Sequence, residues 1–256
     1  MAKVAQIYRY PVKGLSPERL AQVRLEPGRT LPADRMYAIE NGPSGFDAAA
    51  PRYLPKTQFV MLMRNERLAT LATRYDDDTR VLTIRHEGRE LARGDLSSRE
   101  GRLAIEAFFR RFMPHELRGP PKVLQAPGHS FSDVSAQVVS IINLASVAAL
   151  ETVLGVPVNP LRFRANVYVE GLPAWHEFDL VDREISIGNA RLNVTKRIVR
   201  CAATNVDPDT GIRDLEIPAT LMRNFDHMDC GIYARVLEGG EIKPGDEVVI
   251  RDGPKG

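Results

Sequence analysis

The chain has 256 residues, 43% of them hydrophobic and 27% charged, with a formal net charge of only +2. These are globular proportions, sufficient for one large domain or two smaller ones, and they exclude a bulk polycation that holds nucleic acid by net charge. With two cysteines, no apolar signal core at the N-terminus and no run near the ~18 apolar residues of a spanning helix, the sequence predicts a soluble protein of a reducing cytoplasm, away from membranes.

In chain order, residues 3–12 alternate and carry β-branched and aromatic side chains, which predicts a strand ended near Pro11 and followed by the turn Lys13-Gly14. Leu20 to Glu26 predicts a second strand and 34–39 a third, with Asp34 and Arg35 at its beginning. Residues 41–56 read as a loop, and 56–72 fit strand or helix equally. Segments 80–86 and 88–93 form a hairpin pattern around Glu87-Gly88. Over 98–113, Ile105, Phe108, Phe109 and Phe112 share one helical face, and Pro114 stops the helix. Prolines and glycines between 119 and 128 place a subdomain boundary near 115–125, dividing the chain at 120/121.

The second half predicts a strand over 136–142, then a helix 144–154 capped by Asn143 and stopped by Gly155. A strand over 163–170 would put Arg162, Arg164 and Asn166 on one face, a plausible anion site. Strands 184–187 and 190–198 pair around Gly188-Asn189, a short helix fits 216–225, and 231–251 reads as two strands. Strands dominate without βαβ alternation, so the expected class is mainly β with a few helices, closed rather than doubly wound.

The stretch with most chemistry is Arg200-Cys201 and the turn Asp207-Pro208-Asp209-Thr210-Gly211. Lys196, Arg197 and Arg200 lie within five residues of Cys201, and nearby cations favour the thiolate that ligates metals and attacks electrophiles. Judged alone, a cysteine ending a core strand is more often an inert, buried thiol. Asp207 reads as a turn former. Arg200 could aim at a ligand or at solvent. The five histidines show no metal-ligand spacing, Cys230 reads as structural, and Trp175 as a surface aromatic.

Four stretches in order, Tyr10-Pro11-Val12-Lys13-Gly14, Asp34-Arg35, Arg162-Phe163-Arg164-Ala165-Asn166, and Arg200-Cys201 with Val206 to Gly211, resemble the MOSC superfamily. A fifth, Gly240 to Asp246, also matches. The resemblance is to its two-part members, which include the mitochondrial amidoxime reducing component and bacterial relatives. It implies a MOSC β-barrel domain (121–256) packed with an N-terminal β-barrel-like domain (1–120). It also implies a molybdenum cofactor, Mo-molybdopterin, between them. Cys201 then matches the molybdenum ligand, and Lys13, Arg35 and Arg164 match positions that contact the cofactor. Ser140, Asn143, Asn166 and Arg200 complete the candidate cofactor-binding set. Gly14 stands where serine or cysteine is frequent, and Ala165 where proline is frequent.

The activity this implies is two-electron reduction of small N-hydroxylated substrates by a monomer, with electrons from a separate electron-transfer protein. Pyridoxal phosphate binding is a further ligand property the family implies. Two alternatives keep the same cysteine: a sulfur carrier bearing a persulfide on Cys201, and a carrier that holds the molybdenum cofactor without catalysis.

Overall fold

The computed structural model describes residues 1–251. Strand β1 (Lys3–Arg9) is followed by short strands β2 (Glu18–Leu20) and β3 (Val23–Leu25), where one strand had been expected. β4 (Ala38–Asn41) begins later than predicted, because Ala33 and Arg35 both take positive φ and fold 33–35 into a turn. Two 3-10 turns, Lys56–Gln58 and Glu66–Thr70, occupy the ambiguous segment.

The hairpin pattern reappears as β5 (Ala72–Tyr75), β6 (Val81–His86) and β7 (Arg89–Asp95), a three-stranded sheet with positive φ at Glu87 and Gly88. Helix α1 (Arg99–Phe112) buries Ile105, Phe108 and Phe109, and the Ser98 hydroxyl accepts from the Gly101 N–H as its cap. β8 (Pro121–Leu124) pairs antiparallel with β4. These elements enclose one apolar core around Tyr37, Leu82, Ile105 and Phe109.

β9 (Val139–Asn143) leads directly into helix α2 (Leu144–Leu154), capped by Asn143 and ended by Gly155 at φ 69°. β10 (Val167–Glu170) precedes the hairpin β11 (Glu184–Ile187) and β12 (Ala190–Val199). Helix α3 (Ile217–Phe225) follows, then β13 (Asp229–Glu238), β14 (Gly240–Ile242) and β15 (Val248–Arg251), one strand more than the pattern suggested.

Eight strands form one sheet in the order β15-β11-β12-β13-β9-β10-β1-β2. Three register shifts between β12 and β13 bend it strongly. The curl then closes on itself: the Val4 N–H donates to Asp246 O at 2.9 Å, Gly245 to Val4 O at 2.8 Å and Val248 to Ala2 O at 2.8 Å. The barrel interior is aliphatic, with Val4, Ile141, Val169, Ile187, Val194 and Val236 among its fillers. The chain is therefore mainly β and built on a barrel. Its first strand belongs to the sheet of the second half, so the two halves are locked by backbone hydrogen bonds as well as by packing.

Candidate functional site

Where the barrel meets the N-terminal elements, a cleft of about 320 Å³ opens. Segments distant in sequence line it: the turn after β1, the Asp34-Arg35 turn, Lys56, Asp133, the approach to β10 and the end of β12. Eight lysines and arginines face two aspartates there, Asp34 and Asp133, so the cleft is strongly cationic although the whole chain is nearly neutral. Of the expected site residues, Lys13, Arg35, Ser140, Arg164, Asn166, Arg200 and Cys201 all line this cleft. Asn143 lies outside the lining.

β12 delivers Cys201 to the cleft, and a 3-10 turn over Ala202–Asn205 fixes it. The backbone N–H and hydroxyl of Thr204 both donate to Cys201 O, at 3.0 and 2.9 Å. The Asp207 turn then braces the segment: its Oδ1 accepts from the Asp209 and Thr210 N–H groups, at 3.0 and 2.8 Å. Its Oδ2 accepts from Arg162 Nη2 at 2.9 Å. Cys201 is half-buried, and Lys56 Nζ donates to its sulfur at 3.2 Å. Burial alone would lower the Lys56 pKa, but Asp133 and the cysteine sulfur outweigh it and the net shift is upward.

Lys56 and Asp133 carried no sequence signal. Both come from irregular segments, and neither has a motif spacing to Cys201. Asp133 ion-pairs with Lys13, whose ammonium also donates to Phe131 O at 2.8 Å, and it lies 3.8 Å from Lys56. Crowding in the cleft would raise the Asp133 carboxyl, but Lys13 and Lys56 hold it down to about 2. Lys13 itself is buried, and that burial pulls its pKa down against the pull of Asp133.

Segment 10–13 runs beside 34–37, joined by Arg35 N–H to Tyr10 O at 2.7 Å and Lys13 N–H to Tyr37 O at 2.8 Å. This brings Lys13 and Arg35 to one wall. Arg35 Nη1 donates to both oxygens of Asp34, and Nη2 to Arg164 O at 2.7 Å. The guanidinium groups of Arg35 and Arg164 lie 4.4 and 4.3 Å from the Tyr10 ring centroid. Arg164 is the exceptional cation. Its Nη2 is buried without any hydrogen-bond partner. Burial pulls its pKa down to about 10, and neighbouring Arg35 adds to the effect.

The expected strand over 163–170 is corrected here. Pro160–Phe163 forms a 3-10 turn capped by Asn159, and Arg164 follows in the left-handed region at φ 51°. β10 starts only at Val167. Arg164 therefore reaches the cleft by a backbone reversal, not by strand alternation. Arg162 is buried and bonded to Asp207 and Asp214, at 2.9 and 2.8 Å, not turned to solvent. Asn166 and Ser140 satisfy each other: Ser140 Oγ donates to Asn166 Oδ1 at 2.8 Å, while the Asn166 N–H faces Ser140 Oγ at 3.0 Å.

Arg200 turns inward. Its Nε donates to Cys230 O at 2.7 Å and its Nη1 to Phe163 O at 2.9 Å, tying the Cys201 segment to the Arg164 turn. Asn143 is fully buried; it caps α2 and donates to Pro173 O at 2.7 Å and Glu177 Oε2 at 3.0 Å. Cys230 is buried, and burial pushes its thiol up to about 12. Trp175 is not a surface aromatic: it packs on Phe178, Phe225 and His227. Gly14 sits at φ 82°, where an added Cβ would lie 3.1 Å from Val60 O. Backbone geometry thus explains its missing side chain.

A buried guanidinium N–H without an acceptor marks a place for an anion. A half-buried thiol in the same cleft suits a soft transition metal. Among the described residues, no three His, Cys, Asp or Glu side chains group as a metal site.

The MOSC domain family matches residues 126–249, and the MOSC N-terminal beta barrel domain matches 1–111. Mitochondrial amidoxime-reducing component 1 of Homo sapiens is 27% identical over 96% of this chain and 82% of its own length. Mitochondrial amidoxime reducing component 2 of Bos taurus is 34% identical over 43% of this chain; the match spans 36% of that protein. Molybdenum cofactor sulfurase of Caenorhabditis elegans is 38% identical over 37% of this chain and 14% of its own length.

Proposed function

The chain belongs to the MOSC family, and on that premise we propose that its cleft holds a pterin-based molybdenum cofactor with Cys201 as the protein ligand to molybdenum. The observation that carries this is the unpartnered Arg164 Nη2 in the cleft that also presents Cys201. Arg164, Arg35 and Lys13 would hold the anionic parts of the cofactor, and Ser140 with Asn166 would offer neutral polar contacts. Arg200 and Asn143 would act one step back, by fixing the chain around Phe163, Cys230 and β9.

When bound, the cofactor supplies a two-electron redox centre. The protein's own residues orient it and keep the cleft cationic. The reaction proposed is reduction of an N-hydroxylated substrate such as an amidoxime or hydroxylamine. The N–O bond breaks, two electrons and two protons enter, and water leaves. The electrons come from a separate electron-transfer protein; the reduction itself is in keeping with relatives named as amidoxime-reducing components. No helix among the described residues is long and apolar enough to cross a membrane.

The test is turnover. Cofactor-loaded protein with a reduced viologen dye should convert benzamidoxime to benzamidine. A fully loaded preparation that reduces no N-hydroxylated compound would favour the non-catalytic carrier instead. A second reading rests on the Lys56–Cys201 contact, since an ammonium beside a half-exposed sulfur also suits a persulfide. Intact mass would then show one extra sulfur, removed by dithiothreitol, on a molybdenum-free protein. Pyridoxal phosphate would meet suitable cations, but its chemistry makes no use of the thiol.

A further inference from the structure

The cleft's cations fall into two tiers. Lys13, Arg35, Lys56, Arg162 and Arg200 are each engaged by a carboxylate, a carbonyl or the Cys201 sulfur, and Arg164 is the deep unpartnered one. Lys196 and Arg197 differ. Both line the cleft, both are exposed, and among the described residues neither is hydrogen-bonded or ion-paired through its side chain. Each instead rests on an aromatic ring, but on opposite faces of β12: Lys196 Nζ lies 5.8 Å from the centroid of Tyr233, which lines the cleft, and Arg197 Cζ 4.3 Å from that of Phe178, which lies outside the lining. Such stacking holds a cation in place without neutralising it. Beside them Val199 is 65% exposed and also lines the cleft.

A cleft of about 320 Å³ is filled by one ligand of drug size, so a substrate that meets a cofactor there must do so at the rim. On the cleft side the rim offers the free charge of Lys196 and an apolar valine. We propose that the preferred substrates are N-hydroxylated compounds carrying a carboxylate or similar anionic group, recognised by Lys196, with their apolar body against Val199. This rests on the reductase reading and names the substrate class of that site.

The test compares benzamidoxime with 4-carboxybenzamidoxime on cofactor-loaded wild type, K196Q, R197Q and the double variant, with reduced viologen as donor. Wild type should favour the carboxylate compound in kcat/KM by roughly two- to fivefold, the scale of one exposed charge contact. The difference should lie in KM and shrink as salt rises. K196Q and the double variant should bring the ratio near one, and R197Q alone should keep most of it. A ratio near one in wild type, or a wild-type ratio in the double variant, overturns the proposal. So does loss of bound molybdenum and pterin in the variants, which would assign these cations to the cofactor. A defect seen only with a protein electron donor would assign them to docking and also overturn it. If neither compound is reduced by loaded wild type, the reductase reading itself fails.

Discussion

The Lys56 ammonium donates to the Cys201 sulfur at 3.2 Å, across 145 residues of sequence. That contact makes Lys56 the side chain that positions the sulfur. In cofactor-free protein, Lys56→Met should slow alkylation of Cys201 by iodoacetamide roughly fivefold, the equivalent of about 1 kcal/mol for one charge-assisted hydrogen bond. Mass spectrometry of the labelled peptide reads the rate. Cys230, buried with its thiol pushed up to about 12, should stay unlabelled in the same native sample.

Arg164→Met should separate stability from binding. The guanidinium is held without a partner at Nη2 and next to Arg35, an arrangement that burdens the fold. Its loss should leave the melting temperature unchanged or raised, while bound pterin, measured by fluorescence after oxidation, falls at least tenfold.

Arg162→Met should do the opposite. The arginine bridges Asp207, Asp214 and Asn205 O beneath the cysteine turn. Removing it strands two carboxylates, one of them partly exposed, at a cost of about 2–3 kcal/mol by urea unfolding.

Gly14→Ser would restore the hydroxyl that resemblance led one to expect. At φ 82° and 3.1 Å from Val60 O, the new Cβ is strained, and a loss of roughly 1–2 kcal/mol should follow in the same unfolding assay.

Asp133 sets an acid limit. A carboxyl whose folded pKa is held to about 2 contributes stability that is fully present above its unfolded value near 4 and is lost as pH falls through that window. Asp133→Asn should flatten the melting-temperature profile between about pH 4 and pH 2, a region where wild type declines.

Much of this was legible in the sequence. The Phe108-Phe109 face, the Asn143 cap and the Gly188-Asn189 turn are local signals, and local geometry obeyed them. The Arg162–Asn166 stretch misled because its alternation mimics a strand; Pro160 at the start of a 3-10 turn and the carbonyl of Phe163, held by Arg200, override it. Lys56 and Asp133 were invisible because they reach Cys201 and Lys13 only through tertiary contacts of irregular chain. The closure of the barrel by Val4 on Gly245 and Asp246 spans nearly the entire chain, and no pattern of period two announces it.

The central claim is that one sulfur anchors a metal-bearing cofactor in a cationic cleft. The most direct measurement is elemental and pterin analysis of wild type and Cys201→Ala, purified side by side from a host that makes molybdenum cofactor. The account predicts close to one molybdenum and one pterin per wild-type chain, with the metal largely lost in the variant. Wild type without molybdenum, or a variant that keeps as much as wild type, would contradict it.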